Sequence, residues 1–467
     1  MSAYLFSEDK FKKSFLKSDS TNTSNIKLYH TPGKQLKLFP YKGNEKPYPI
    51  INMSDVVGDF IRAELKIKPT KLSLDELCKG IQEEIGINDS ESSALKAIIK
   101  SFFFRTGEFI GDNIGMYQYN AVTVDGANEL THFLRDILSE KAKQDKISQD
   151  FNKAAKNYPY NVLENLIKNN SPELSAEDEE APYFKIFDLA AKQFSLDIDF
   201  MLTSGMTSTE DLSNLLSLYY FYYTSQTCIV LNQFGNGVRN KIQPVYFSLD
   251  WEKMSTNRKA YTDGWRTLQE NIKLILSHSF TLDLLNQTQS NEKYDYIKLV
   301  QLANGSSAMD FDIAKTIKGI EETYTKYVTD YGDFKSIPRE KCPTQTETAI
   351  RHLFDCVNGQ FKNTSRKRVV TYFYGKLTDF YKERWLKNRG RAGWVLNLTQ
   401  ADIIFLTKLS IRDGEQIRLI ELFKEYEKRG VFLDNTSKTA LQDLFQKLNL
   451  LDKKSDSGDA QYVRKIL

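Results

Sequence analysis

The sequence predicts a mainly α, multidomain protein: helical N-terminal and central domains followed by a C-terminal winged helix-turn-helix module. Three observations carry that expectation. Gly supplies 23 and Pro 11 of 467 residues, about 5 and 2 per cent against typical values near 7 and 5, so few breakers interrupt long elements. From Met53 onward the apolar residues recur at helical spacing. Residues 399–467 give start and stop signals in the order helix, helix, short strand, helix, hairpin. A chain that is 40% hydrophobic and 27% charged is not disordered over most of its length, and its size suggests about three domains.

Residues 1–168 read as a mixed, mostly helical domain. Alternation in Ile26–Phe39 and the run from Pro40 to Pro49 suggest strands and turns before helices begin at Met53. In 72–86, Leu74, Leu77, Cys78, Ile81 and Ile85 share a stripe behind a capping Ser73. Ala94–Phe104 and Ala127–Ile147 are further expected helices. Residues 169–181 hold Glu173, Glu177, Asp178, Glu179 and Glu180 without apolar periodicity, which reads as an acidic linker. Its alternative is an acidic segment that docks on a basic surface.

Residues 182–395 form the central domain, with helices expected at Tyr183–Phe194, Leu212–Val230, Leu268–His278 and Ile313–Tyr331. Leu212–Leu231 is the most apolar stretch, but Asn214, Gln226 and several Ser and Thr dilute it. It reads as a buried core helix rather than a membrane span. Tyr219, Tyr220, Phe221, Tyr222 and Tyr223 are consecutive, so some are expected to face another element or a partner. The charged start of the chain argues against a signal peptide, and a cytoplasmic location without membrane association is expected.

Enzyme motifs are missing. Gly375-Lys376-Leu377-Thr378 resembles the tail of a phosphate-binding loop, but Val370 stands where its first glycine belongs. Cys78, Cys228, Cys342 and Cys356 make no C-x-x-C pair, and His is found four times. Cys342, His352 and Cys356 lie close in sequence without zinc-site spacing, so buried or incidental thiols are expected, and no metal or cofactor. Asp59, Glu64 and Lys66 loosely match a metal-dependent nuclease, although their surroundings have helical spacing. A binding or assembly protein without catalytic residues is the favoured reading.

The strongest anomaly is Phe361–Trp394. It carries Lys362, Arg366, Lys367, Arg368, Lys376, Lys382, Arg384, Lys387, Arg389 and Arg391 against Asp379 and Glu383, a net charge of +8 in a chain whose total is +3. Such clusters neutralise phosphate backbones by counterion release, and the interleaved aromatics could stack on unpaired bases. An amphipathic helix over 368–387 would account for the aromatics, with Phe373, Leu377, Phe380 and Tyr381 on one stripe. The cation excess still calls for an anion, first a nucleic acid, then an acidic protein surface.

In the C-terminal module (396–467), Thr399 caps a first helix, Gly430 ends a second, and Asp434, Asn435 or Ser437 starts a third. Leu450–Lys454 and Ala460–Ile466 flank a hairpin turn at Asp456–Asp459. Winged modules often place the third helix in the major groove. Candidate contacts are Lys438, Gln442 and Lys447 on that helix and Lys453, Lys454 and Arg464 in the wing. DNA contact and protein docking are equally compatible with them.

The tail, through Arg429-Gly430-Val431-Phe432-Leu433-Asp434 to Ser455–Leu467 (SDSGDAQYVRKIL), resembles the C-terminus of the DptG (DndG) family, a subunit of bacterial phosphorothioation-dependent restriction systems. The resemblance rests on about 70 residues. It implies a non-catalytic subunit acting on DNA beside DptF-like and DptH-like subunits, to which the NTP-dependent work is attributed. A scaffold without DNA contact is the alternative.

Overall fold

The computed structural model describes residues 4–19, 22–41, 52–68, 71–120, 127–140, 144–172, 182–453 and 461–466. The chain is mainly helical. Its described start is helix α1 (Glu8–Phe15), capped by Ser7 and running directly into the antiparallel pair β1 (Leu16–Asp19) and β2 (Asn22–Leu28). Of the Pro40–Pro49 run, only Pro40 and Tyr41 are described. Helix α2 (Met53–Leu65) starts where the periodicity changes, with Asn52 as its cap. Helix α3 (Leu74–Ile85) has the expected Ser73 cap, and its Leu77, Cys78 and Ile81 are buried. Helix α4 (Asp89–Phe103) feeds the short pair β3 (Phe104–Arg105) and β4 (Glu108–Phe109). Where one helix was expected over 127–147, there are α5 (Ala127–Leu138) and α6 (Gln144–Asn157), followed by α7 (Val162–Asn169). Residues 173–181, which hold the acidic run, lie outside the described residues.

The centre of the molecule is α9 (Thr209–Asn232), which follows α8 (Leu189–Ser204). All five consecutive aromatics of α9 are buried, so of the two expected alternatives, another element or a partner, they face other elements. A helix that is apolar around its whole circumference belongs inside a larger body. Here Tyr219 meets Phe194, Tyr220 meets Phe380, Phe221 meets Phe247 and Tyr381, and Tyr223 meets Phe133. Beyond it come β5 (Tyr246–Leu249), α10 (Arg266–Ile272) and α11 (Ile275–Leu285). The expected helix over Leu268–His278 is thus broken at Lys273–Leu274. The series continues with α12 (Tyr296–Ala303), α13 (Ser307–Tyr327), α14 (Gln345–Asn363) and α15 (Lys367–Arg384).

Strands β6 (Leu386–Asn388) and β7 (Trp394–Leu398) form an antiparallel hairpin. Then follow α16 (Gln400–Ile411), β8 (Gln416–Arg418), α17 (Leu419–Glu427), β9 (Phe432–Leu433), α18 (Asn435–Lys447), β10 (Leu451–Lys453) and β11 (Gln461–Arg464). Thr399 is the cap read from sequence, and of the three candidates for the third helix Asp434 is the cap. Residues 416–418, at the start of the stretch 415–430 expected as the second helix, are instead a strand that pairs with β11, giving a three-stranded sheet in the order β10-β11-β8. The expected turn at Asp456–Asp459 lies outside the described residues.

A second sheet, β6-β7-β5-β9, ties distant parts together, because β5 pairs in parallel with both β7 and β9. The 395/396 boundary falls inside β7. One contiguous apolar core runs from Tyr4 to Val463, and a smaller one lies under α3, α4 and α7. Among the described residues no helix is long and apolar enough to cross a membrane.

Candidate nucleic-acid interface

The basic segment folds into three pieces: the end of α14, the whole of α15, and the β6–β7 hairpin. Helix α15 is amphipathic at helical spacing. Phe373, Leu377 and Tyr381 are buried, and the Tyr381 hydroxyl lies 2.6 Å from Thr224 Oγ1 on α9. Phe380 lies against Tyr220, their ring centroids 4.5 Å apart. Phe373, Phe380 and Tyr381 therefore serve the core, and the cations are distributed around the outside and both ends.

Many of those cations have internal partners. Arg366 Nε donates to Asp330 Oδ2 at 3.0 Å. Arg368 lies over the Tyr372 ring and donates to its hydroxyl at 3.2 Å. Lys376 is half-buried and interacts within the chain, and Lys382 pairs with Asp379. Arg384 bridges Asn214 and Asp402 at 2.7 and 2.8 Å and covers Trp385. Lys387 pairs with Asp250. Arg389 is a structural clamp: its guanidinium donates to the carbonyls of Leu249, Asp250 and Glu252 and to Asn397 Oδ1, at 2.7–3.2 Å. It fixes the hairpin against the end of β5, so a phosphate would have to compete with four acceptors for it.

Lys362, Lys367 and Arg391 are exposed. Among the described residues none of the three closes an ion pair. Lys362 and Lys367 flank the junction of α14 and α15. Arg391 lies in the single helical turn Gly390–Ala392 at the hairpin tip, next to Trp394, which is 43% exposed. Gly390 and Gly393 have φ of +61° and +68°, values that favour glycine and let the chain reverse within so short a loop. The two groups of cations lie at or beyond opposite ends of α15, a helix of 18 residues and so about 27 Å long at 1.5 Å per residue.

The C-terminal unit adds fewer charges. Lys438 is 3.6 Å from Glu427 and lies over Phe423. Gln442 is half-buried, and Lys447 is exposed beside the exposed Asp443. Arg464 makes a two-point contact with Asp452 at 2.6 Å. Lys454 and the Lys453 side chain lie outside the described residues. What the sequence reading missed on the outer face of α18 is Asn435, Thr436 and Thr439, which are exposed there with Gln446 and Asp443. Neutral polar side chains of this kind hydrogen-bond base edges without adding charge. They were legible as the positions opposite Leu441 and Phe445.

The nuclease candidates do not form such a site. Asp59, Glu64 and Lys66 belong to one helix and its C-terminal cap rather than to adjacent strands. Asp59 is buried against Arg62. Glu64 is 1% exposed with both carboxylate oxygens unpartnered, and burial pushes its pKa up to about 8 despite the pull of Arg135. Of the Cys342, His352 and Cys356 group, the latter two are buried together on α14 and are joined by Glu321 from α13. Cys342 is half-buried outside that group.

Compared with known proteins, the chain matches no family model and no curated sequence.

Proposed function

We propose that the chain is a non-catalytic, DNA-contacting subunit of a phosphorothioation-dependent restriction complex. In this reading it touches DNA through the exposed cations of its basic segment and through its C-terminal unit, and assembles in the cytoplasm with DptF-like and DptH-like NTPase subunits. The observation that carries DNA contact is the set Lys362, Lys367 and Arg391, exposed and without ion-pair partners among the described residues, on a segment whose other cations are mostly engaged internally. Phosphate contacts of this kind position a protein on DNA without reading its sequence.

The C-terminal unit reads as a winged helix. Supporting this are the order α16, β8, α17, α18, β10, β11 and the pairing of β11 with both β10 and β8. Helix α18 would be the recognition helix, with Asn435, Thr436, Thr439 and Gln446 towards the bases. The family assignment rests on the resemblance of the tail.

The second reading, a scaffold that never touches DNA, is favoured by one surface feature. Ile420 on α17 is 64% exposed, an apolar side chain at a place where a partner subunit could cover it. The aromatic run of α9 no longer supports this reading, because it is buried.

Retention of the purified full chain on immobilised duplex DNA at low salt tests the choice. DNA contact predicts retention and release by salt. Passage through the column, together with partner co-purification that is lost on Ile420→Glu, would favour the scaffold. Truncation near residue 395 is unsuitable, since it removes β7 and β9 from the central sheet.

A further inference from the structure

Helices α13 and α14 bring together three side chains of different chemistry. His352 and Cys356 are one turn apart on α14, and Glu321 faces them from α13. Each residue is at least nine-tenths buried. His352 Nδ1 lies 2.9 Å from Glu321 Oε2 and 3.8 Å from Cys356 Sγ, and one ligand atom from each residue falls within 4.8 Å of the others. A tetrahedral zinc ion with bonds of about 2.0–2.3 Å requires ligand atoms roughly 3.3–3.7 Å apart. The cluster is within rotamer adjustments of that spacing.

A cationic group already lies in this cluster. Arg339 Nη2 donates to both Glu321 oxygens, at 2.9 and 3.1 Å, and to His352 Nδ1 at 3.0 Å. Nε2 faces the Ile337 carbonyl at 3.4 Å, while Nδ1 lies between the Arg339 Nη2 donor at 3.0 Å and the Glu321 Oε2 acceptor at 2.9 Å. With the hydrogen on Nε2, the Nδ1 lone pair would point into the cluster and the second nitrogen would be held by a backbone carbonyl, as in a metal-bound histidine. Arg339 comes from the loop before α14, and its side chain is 40% exposed, so it can withdraw to solvent without disturbing either helix.

We propose that Glu321, His352 and Cys356 form a site for one divalent transition metal of the zinc class, and that Arg339 holds its cation position when no metal is bound. A thiolate, an imidazole and a carboxylate are a donor set for zinc-like ions rather than for magnesium or calcium. On binding, a sulfur–metal bond forms and the Cys356 S–H bond breaks, its proton passing to solvent. Glu321 and His352 donate lone pairs, no electron is transferred, and Arg339 leaves. The fourth position faces the loop that Arg339 vacates.

Cobalt(II) alone, titrated into the full chain, tests this. The expected result is one equivalent bound with a thiolate-to-cobalt charge-transfer band, reversed by zinc(II) and insensitive to magnesium(II). Cys356→Ser abolishes the band and Cys342→Ser leaves it. Arg339→Gln moves the titration midpoint to lower cobalt, because the competitor is gone. Should Cys356→Ser fail to fold, Glu321→Gln and His352→Gln each weaken binding at least about tenfold, the size of lesser, outer-shell changes. No band at stoichiometric cobalt overturns the proposal, as does a band that persists in Cys356→Ser and disappears in Cys342→Ser.

Discussion

Arg429 and Asp197, 232 residues apart, form a fully buried two-point ion pair: Nε to Oδ2 at 2.7 Å and Nη2 to Oδ1 at 2.6 Å. Asp197 also accepts from the Tyr219 hydroxyl and from Arg412, while Arg429 reaches the Leu409 and Glu425 carbonyls. The loop after α17 is thereby locked to α8 and α9. A buried pair is weak evidence of net stabilisation, but removing one partner strands the other charge. Asp197→Ala should therefore cost about 3–5 kcal/mol, measured by urea unfolding. Asp197→Ala combined with Arg429→Met should recover part of that loss.

Gly430 adjoins this pair, and its φ of +76° is one that side chains rarely adopt. A Cβ there would also land on the Tyr222 ring. Gly430→Ala should cost more than about 1 kcal/mol, whereas Gly375→Ala on α15, where a Cβ meets open space, should stabilise by up to about 1 kcal/mol. Thermal melting of the two variants makes the comparison.

Burial sets opposing pH slopes. Burial holds Glu64 at about 8 against an ordinary 4.5, so the folded state binds the extra proton between those values and stability falls as pH rises from about 4.5 to about 8. His30 and His278 are pushed down by burial to about 3. The unfolded state binds their protons between about 3 and 6.5, and stability falls as pH drops through that window. The joint contribution of the three groups is greatest near pH 6.5. Glu64→Gln should flatten the alkaline side, with a melting temperature at pH 8 above that of the parent.

Arg389 and Arg391 are two residues apart and should behave differently. Arg389→Ala removes a charged donor from four acceptors and should destabilise by about 2 kcal/mol. Arg391→Ala should change stability by less than about 0.5 kcal/mol and show its effect in DNA affinity. Paired unfolding and binding curves separate the two roles.

The sequence announced those parts of the fold that are governed by local chemistry. Ser73, Thr399 and Asp434 are caps because their oxygens accept amide hydrogens within three residues, and the stripe of α15 repeats every turn. The parallel pairing of β5 with β7 and β9 was invisible, because a four-residue strand has too little alternation to register and its partners lie about 150 and 185 residues away. Strand β8 was lost in the apolar pattern that α17 continues. In the candidate interface, charge density was readable, but which cations were engaged was not. Asp330, Asp250 and Asp402 meet their arginines and lysine only through tertiary packing. Glu321 likewise reaches His352 from another helix, 31 residues away.

The most direct measurement of DNA contact is fluorescence anisotropy of a labelled duplex across a salt series, with the full chain and with Lys362→Glu, Lys367→Glu and Arg391→Glu combined. These three are chosen because reversing them breaks no ion pair among the described residues, whereas reversing Arg366 would break its pair with Asp330. The account predicts affinity that falls steeply with salt in the parent, and a variant that folds normally, binds weakly and has a log–log salt slope lower by roughly two to three. Equal affinity and slope for parent and variant would contradict it.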